Sequence, residues 1–325
     1  MSNRVDKPKR SPVELVDMLR DKKGISFNLM SEAEAITYLS ERNNYLRTAA
    51  YRKNYEKHKT GACEGKYIQL DFAYLVELSK LDMYLRTHIL QMCIDIEHAL
   101  KVKVVSDLEQ NSLEDGYDIV DEFFKVNPDV LHSIAQKADS IFTGDLIEKY
   151  FTLCYVYEPS GSIHTEIIGT DCPVWVLVEL LAFKEFTKFL KFYTDKYPGR
   201  LTVNYNHLNT IRSLRNACAH NNCLLVSLRP GTTKPTPKVT QYVSKLQNVG
   251  KEERKNKLSC RPLFEIVCLL MEYDTIVSHQ LRKNRMEALK EFANGRLVLH
   301  SDYFKTNQVI KTALLFLQKV IDSFA

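Results

Sequence analysis

Three polar side chains interrupt an otherwise apolar helical run: Arg215, Asn216 and His220, within Leu214-Arg215-Asn216-Ala217-Cys218-Ala219-His220-Asn221-Asn222. Histidine titrates near neutral pH, so His220 could take the proton of a ribose 2′-hydroxyl or return one to a leaving 5′-oxygen. Arginine offers a planar fork of donors that matches phosphate oxygens and offsets the charge growing on them. Asparagine donates and accepts, so Asn216 could orient the imidazole or hold a phosphate oxygen. These groups suffice for internal transesterification without a metal or cofactor, leaving a 2′,3′-cyclic phosphate and a 5′-hydroxyl. The substrate would have to be RNA, because DNA lacks the 2′-hydroxyl.

The spacing limits how one helix can use them. At about 100° per residue, Asn216 and His220 lie roughly 40° apart, whereas Arg215 and His220 lie roughly 140° apart. Arg212 falls in line with Asn216 and His220 at steps of four, where it could add a phosphate contact or remain a surface charge. Bringing Arg215 to the same phosphate needs a helix break near His220 or a second copy across a two-fold interface. The pattern is also short enough to recur by chance. A His after a helix commonly only caps carbonyls or meets the helix dipole.

The 325-residue chain is 45% apolar, with 11 Gly and 10 Pro. That is enough for a sizeable core and too few turn-formers for a many-stranded sandwich or barrel, so an all-α fold is expected. The net charge of +5 is unevenly placed. Residues 229–261 hold nine Lys or Arg against two acids, so that stretch carries +7 and the remainder −2. Lys234, Lys238, Lys245, Lys251, Arg254, Lys255 and Lys257 are its candidate RNA contacts, although such runs are often only solvated loops. Residues 106–122 have the opposite bias, with seven acids and no Lys or Arg.

The eight cysteines include no C-x-x-C pair, and Cys218 with Cys223 lacks a second pair to complete a zinc site, so no metal is expected. A reducing, cytoplasmic setting is the plain expectation. The N-terminal run MSNRVDKPKR has no apolar core of a signal peptide. The most apolar stretch, residues 174–193, carries Glu179, Lys184, Glu185, Lys188 and Lys191, and reads as one buried amphipathic helix.

The elements that must position the motif are mostly helical. Ser11-Pro12 and the Ser31/Glu34 capping box start the first two helices. Apolar residues then give way to NNYLRTAAYRKNYEKH, in which Tyr and Arg could grip a polyanion or simply pack rings while Arg heads reach water. Residues 70–108 follow three- and four-residue steps so long that a kink is expected. Within that stretch Asp82 with Arg86, and Glu97 with Lys101, are i,i+4 pairs, although Asp82, Arg86 and Glu97 could instead lie behind the active site. A further helix is expected over 128–153, a loop or small hairpin over 155–170, and a long insertion or exposed loop over 227–262. Two helical stretches close the chain. His88, His98 and His207 read as structural, and Trp175 as core.

Several blocks resemble a known family. LRNACAHN on a late helix resembles the R-x4-H signature of HEPN domains, helical bundles that include many metal-independent ribonucleases. GISFNLMSEAEAITYLSERNNYLRTAAY, LVELSKLDMYLRTHILQMCIDIEHALK and CPVWVLVELLAFKEFTKFLKFY resemble, in order, blocks of bacterial abortive-infection proteins of the AbiF/AbiD-like type. Together they span about residues 13–225. The resemblance implies a small N-terminal helical region over 1–65 and a HEPN-like bundle over 66–325. It further implies a homodimer through the motif helices with Arg215, Asn216 and His220 catalytic. The implied role is phage defence by growth arrest, as a toxin restrained by a cognate non-coding RNA. The alternative is a non-catalytic helical module that holds a structured regulatory RNA.

Overall fold

The computed structural model describes residues 8–158 and 160–324. It is mostly helical, with one two-stranded antiparallel sheet among the described residues. The chain divides into two compact units. One holds the described residues up to Cys93 together with those from Ser213 onward; the other is Ile94–Arg212. The N-terminal helices therefore share a unit with the C-terminal ones, although most of the sequence separates them.

In the first unit, α1 (Pro12–Asp17) and α2 (Glu32–Thr37) each start at a capping box, Ser11 with Glu14 and Ser31 with Glu34. Each box satisfies two backbone donors that a helix start leaves open. Both helices widen into a π turn, at Met18–Lys22 and Tyr38–Arg42. Helix α3 (Tyr45–Ala50) is capped by Asn44 and tightens into a 3-10 turn, Tyr51–Asn54. Helix α4 (Phe72–Glu109) then runs unbroken for 38 residues. It is not broken, and neither Gly nor Pro interrupts this stretch. Leu75, Leu78, Leu81, Leu85, Ile89 and Met92 line its buried face.

The second unit takes α4 from Ile94, then α5 (Asp118–Val126), α6 (Pro128–Ala135) and α7 (Gly144–Tyr150). Strands β1 (Phe151–Tyr157) and β2 (Ile163–Thr170) form the hairpin. The helix expected over 128–153 is thus two helices and the start of a strand. Asn127 leads into α6 through Pro128, and a turn over 136–143 ends it. Helices α8 (Val174–Leu180) and α9 (Phe183–Lys196) replace the single helix expected over 174–193. Ala182 is extended at the break, and Glu185 bonds back to its amide at 3.0 Å, starting a new helix. The core is aromatic, with Phe123 edge-on to Phe189 at 5.2 Å.

The acidic stretch over 106–122 finds its counter-charges on the end of α9 and just after it. Lys196 pairs with Glu114 at 3.2 Å and Glu122 at 2.8 Å, and Arg200 with Asp107 at 2.9 Å. Trp175 is not core. It is 45% exposed, and one edge of its ring covers Gly116 while Tyr117 meets it edge-on. His207 is buried and His88 half-buried, whereas His98, read with them as structural, is exposed.

Helix α10 (Tyr205–Ala219) carries the motif. Beyond it, residues 227–262 are not one long loop. They contain α11 (Pro237–Ser244), capped by Thr236 with Pro237 in its first turn, and α12 (Lys251–Leu258), which starts at Gly250. Val239, Val243, Val249 and Leu258 are buried and tie both helices down. The Lys, Glu and Arg of α12 are good helix formers whose polarity disguises the element as a loop. Helix α13 (Arg261–Ile276) is buried almost throughout. Helices α14 (His279–Asn294) and α15 (Gln308–Asp322) complete the unit. No helix among the described residues is long and apolar enough to cross a membrane.

Candidate functional site

Helix α10 buries Leu208, Ile211, Leu214 and Cys218, a stripe at helical spacing, and turns Asn216 and His220 outward. Its end is built by the two asparagines after His220. Asn221 sits at φ +56°, and its amide donates to Cys218 at 3.0 Å. The Asn222 amide donates to Ala217 at 2.7 Å. These two bonds form a Schellman stop, with a left-handed residue just past the C-cap. His220 is that C-cap residue, and its amide still donates to the Asn216 carbonyl at 2.9 Å, so the helix ends just after the motif.

The three motif residues are not equally joined. The Arg215 guanidinium is half-buried, and its Nη1 donates to the Asn216 side-chain oxygen at 3.2 Å. Arg215 Nε is buried without a hydrogen-bond partner among the described residues. The His220 imidazole is exposed and bonds to neither. Arg212, one turn earlier, is half-buried. Among the described residues, no three His, Cys, Asp or Glu side chains converge in a way that could hold a metal ion.

Behind the turn lies a polar cluster. Asp82 on α4 is fully buried and accepts from the Leu224 amide at 3.0 Å and the Leu225 amide at 3.2 Å. The Tyr51 hydroxyl donates to it at 2.5 Å and Arg86 Nη1 at 2.7 Å. Arg86 also reaches the Asn222 carbonyl at 3.4 Å. Asn54 donates to the Leu225 carbonyl and accepts from the Leu228 amide, each at 2.8 Å. Arg47 donates to the Asn221 carbonyl. Burial pushes the Asp82 carboxyl up, while the Tyr51 bond, the Arg86 charge and the two amides pull the other way.

Asp82 and Arg86 look from sequence like an ordinary helix pair. They are the anchor of the segment that follows the motif, and Tyr51, Asn54 and Arg47 complete it. The available signal was an acid inside the apolar rhythm of α4, since a buried carboxylate needs partners.

The other basic candidates fare differently. Lys234, Lys245, Lys251 and Lys255 are exposed, and Arg254 is half-buried. Lys238 pairs with Glu272 at 3.2 Å. Lys257 is buried, and its ammonium donates to the Thr312 hydroxyl, so it faces the fold and not solvent. Burial lowers its pKa. No hydrogen bond or ion pair joins any of these seven to Arg215, Asn216 or His220.

The Abi-like protein family model matches residues 38–225. Comparison with curated proteins and with solved structures returns no match. The matched span begins at Tyr38, takes in Tyr51, Asp82, Arg86 and the motif, and ends at Leu225, the last residue that Asp82 holds. Covering more than half of the 325 residues, it shows that the chain belongs to the Abi-like protein family.

Proposed function

We propose that this protein is a metal-independent endoribonuclease of the HEPN type, acting in phage defence by abortive infection. The observation that carries the reading is the state of the motif. An exposed imidazole stands at a helix stop one turn from exposed Asn216, beside a guanidinium whose Nε is buried without a partner. A buried orphan donor is costly, and charged donors of this kind find their best partner in a phosphate oxygen.

In this reading Arg215 holds the phosphate and offsets its charge, Asn216 orients, and His220 moves protons. The 2′-hydroxyl gives its proton to a neutral imidazole, and the 2′-oxygen attacks phosphorus. The bond from phosphorus to the 5′-oxygen breaks, and a protonated imidazole supplies the leaving oxygen. The products are a 2′,3′-cyclic phosphate and a 5′-hydroxyl. Because Arg215 and His220 project from different sides of α10, a homodimer through the motif helices would give each phosphate both groups, one from each copy. Arg212 could add a phosphate contact. Family membership supports the defence role, with the nuclease as a cytoplasmic toxin restrained by a cognate RNA.

The test is purified protein beside His220→Ala on total RNA, with and without EDTA, followed by sequencing of RNA ends. The expected result is cleavage that persists in EDTA and is lost in the variant. A strict need for a divalent metal would refute the mechanism. RNA binding without cleavage by either protein would favour the non-catalytic module.

A further inference from the structure

The first unit carries a second cationic feature, built by backbone pairing away from α11 and α12. Lys57 pairs with Tyr67 in an antiparallel bridge, and the Tyr67 amide donates to the Lys23 carbonyl at 2.8 Å. Three short segments therefore run side by side, with the Tyr67 ring on the middle one. The Lys57 ammonium lies 4.9 Å from the Tyr67 ring centre. The Arg52 guanidinium lies 5.8 Å from the same ring and 5.5 Å from that of Tyr45.

Among the described residues these cations lack ion-pair partners. Among the described residues, no carboxylate pairs with Lys22, Lys23 or Lys57, and Arg52 Nη1 is buried without a partner. Of the nearby acids, Glu56 is paired with Arg229 at 3.4 Å and Asp21 with Arg20 at 2.9 Å. Burial pushes Lys23 below its ordinary value, followed by the charges of Lys57, Arg52 and Lys22. Like charges held together this way repel one another until an anion arrives.

We infer that Lys22, Lys23, Arg52 and Lys57, with the rings of Tyr45 and Tyr67, form the docking surface for single-stranded RNA. Cations interleaved with aromatic rings suit a strand whose phosphates and bases are both accessible, whereas a duplex hides its bases. The surface adjoins the motif through α3, whose Arg47 donates to the Asn221 carbonyl beside His220. The inference rests on the nuclease reading for its choice of RNA and identifies how that RNA is held.

The test measures binding of a short labelled single-stranded RNA by fluorescence anisotropy across a salt series, in protein carrying His220→Ala to stop cleavage. Lys22 and Lys57 are exposed, so the double reversal Lys22→Glu with Lys57→Glu should fold normally, which thermal melting checks. It should weaken binding by about tenfold or more and make the salt dependence shallower by about 1.4, two phosphate contacts' worth. Tyr67→Leu should weaken binding severalfold with the salt slope unchanged, since stacking carries no counterion release. Unchanged affinity in the double variant overturns the inference, as does failure of the parent protein to bind the strand. Loss of binding on Lys251→Glu with Lys255→Glu instead would move the site to α12. Binding that depends on Lys22 and Lys57, beside protein with His220 intact that cuts no RNA, would refute the nuclease alone. Cleavage by protein with His220 intact, beside unchanged affinity in the double variant, would refute this surface alone.

Discussion

The carboxylate of Asp82 accepts the backbone amides of both Leu224 and Leu225, fastening the residues that follow the motif to the middle of the long helix α4. The same carboxylate carries the Arg86 guanidinium and the Tyr51 hydroxyl. Asp82→Ala would leave a buried guanidinium and two amides unmatched. Breaking a buried pair from one side costs about 3–5 kcal/mol. Asp82→Asn keeps one acceptor oxygen and should lose less. Urea denaturation checks both, with the midpoint falling and the slope unchanged.

Asn221 stops the motif helix in the left-handed region, at φ +56°. A β-branched residue there meets its own carbonyl, so Asn221→Val should cost about 1–2 kcal/mol. Asn221→Gly should be close to neutral, because glycine adopts this conformation without strain. Thermal melting of the pair beside the parent protein distinguishes a conformational requirement from a side-chain contact. Equal melting of all three would dismiss it.

His88 on α4 supplies a pH dependence. Burial, then the charge of Arg285, holds its imidazole below the ordinary value of 6.5, with Glu291 opposing. In the window between that depressed value and 6.5 the unfolded chain binds more protons than the folded one. Stability from this group is therefore complete above 6.5 and lost as pH falls towards the folded value. His88→Gln should flatten the melting temperature against pH in that window. An unchanged slope would assign the dependence to other groups.

Gly116 lies at φ +90°, and a Cβ there would stand 2.9 Å from the Trp175 ring. Gly116→Ala should therefore destabilise the Ile94–Arg212 unit by about 1–3 kcal/mol, from backbone strain and overpacking together. Trp175 is the one tryptophan of the chain, so its fluorescence reads the same contact directly. A red-shifted native emission should accompany the lower midpoint.

What the residues alone determined was local. Capping boxes at Ser11 and Ser31, the apolar stripe of α10 and the Asn-Asn stop after His220 depend on neighbours within a turn, so spacing reveals them. The abortive-infection resemblance was legible for the same reason, as blocks in order, and the family match bears it out. Polar surface concealed α11 and α12, because one i,i+4 step, Val239 to Val243, and a lone Leu258 are too few among Lys, Glu and Thr to announce a buried face. The break at Ala182 was hidden too, since apolar residues continue on both sides.

Only the tertiary structure decided what stands behind the motif. Asn54, Asp82 and Arg86 meet residues 222–228 across more than a hundred positions of chain, and Tyr51 joins them through Asp82; no periodicity encodes such a meeting. Folding brings them together because two backbone amides and a guanidinium, once out of water, must find a carboxylate, and α4 places Asp82 where they are buried.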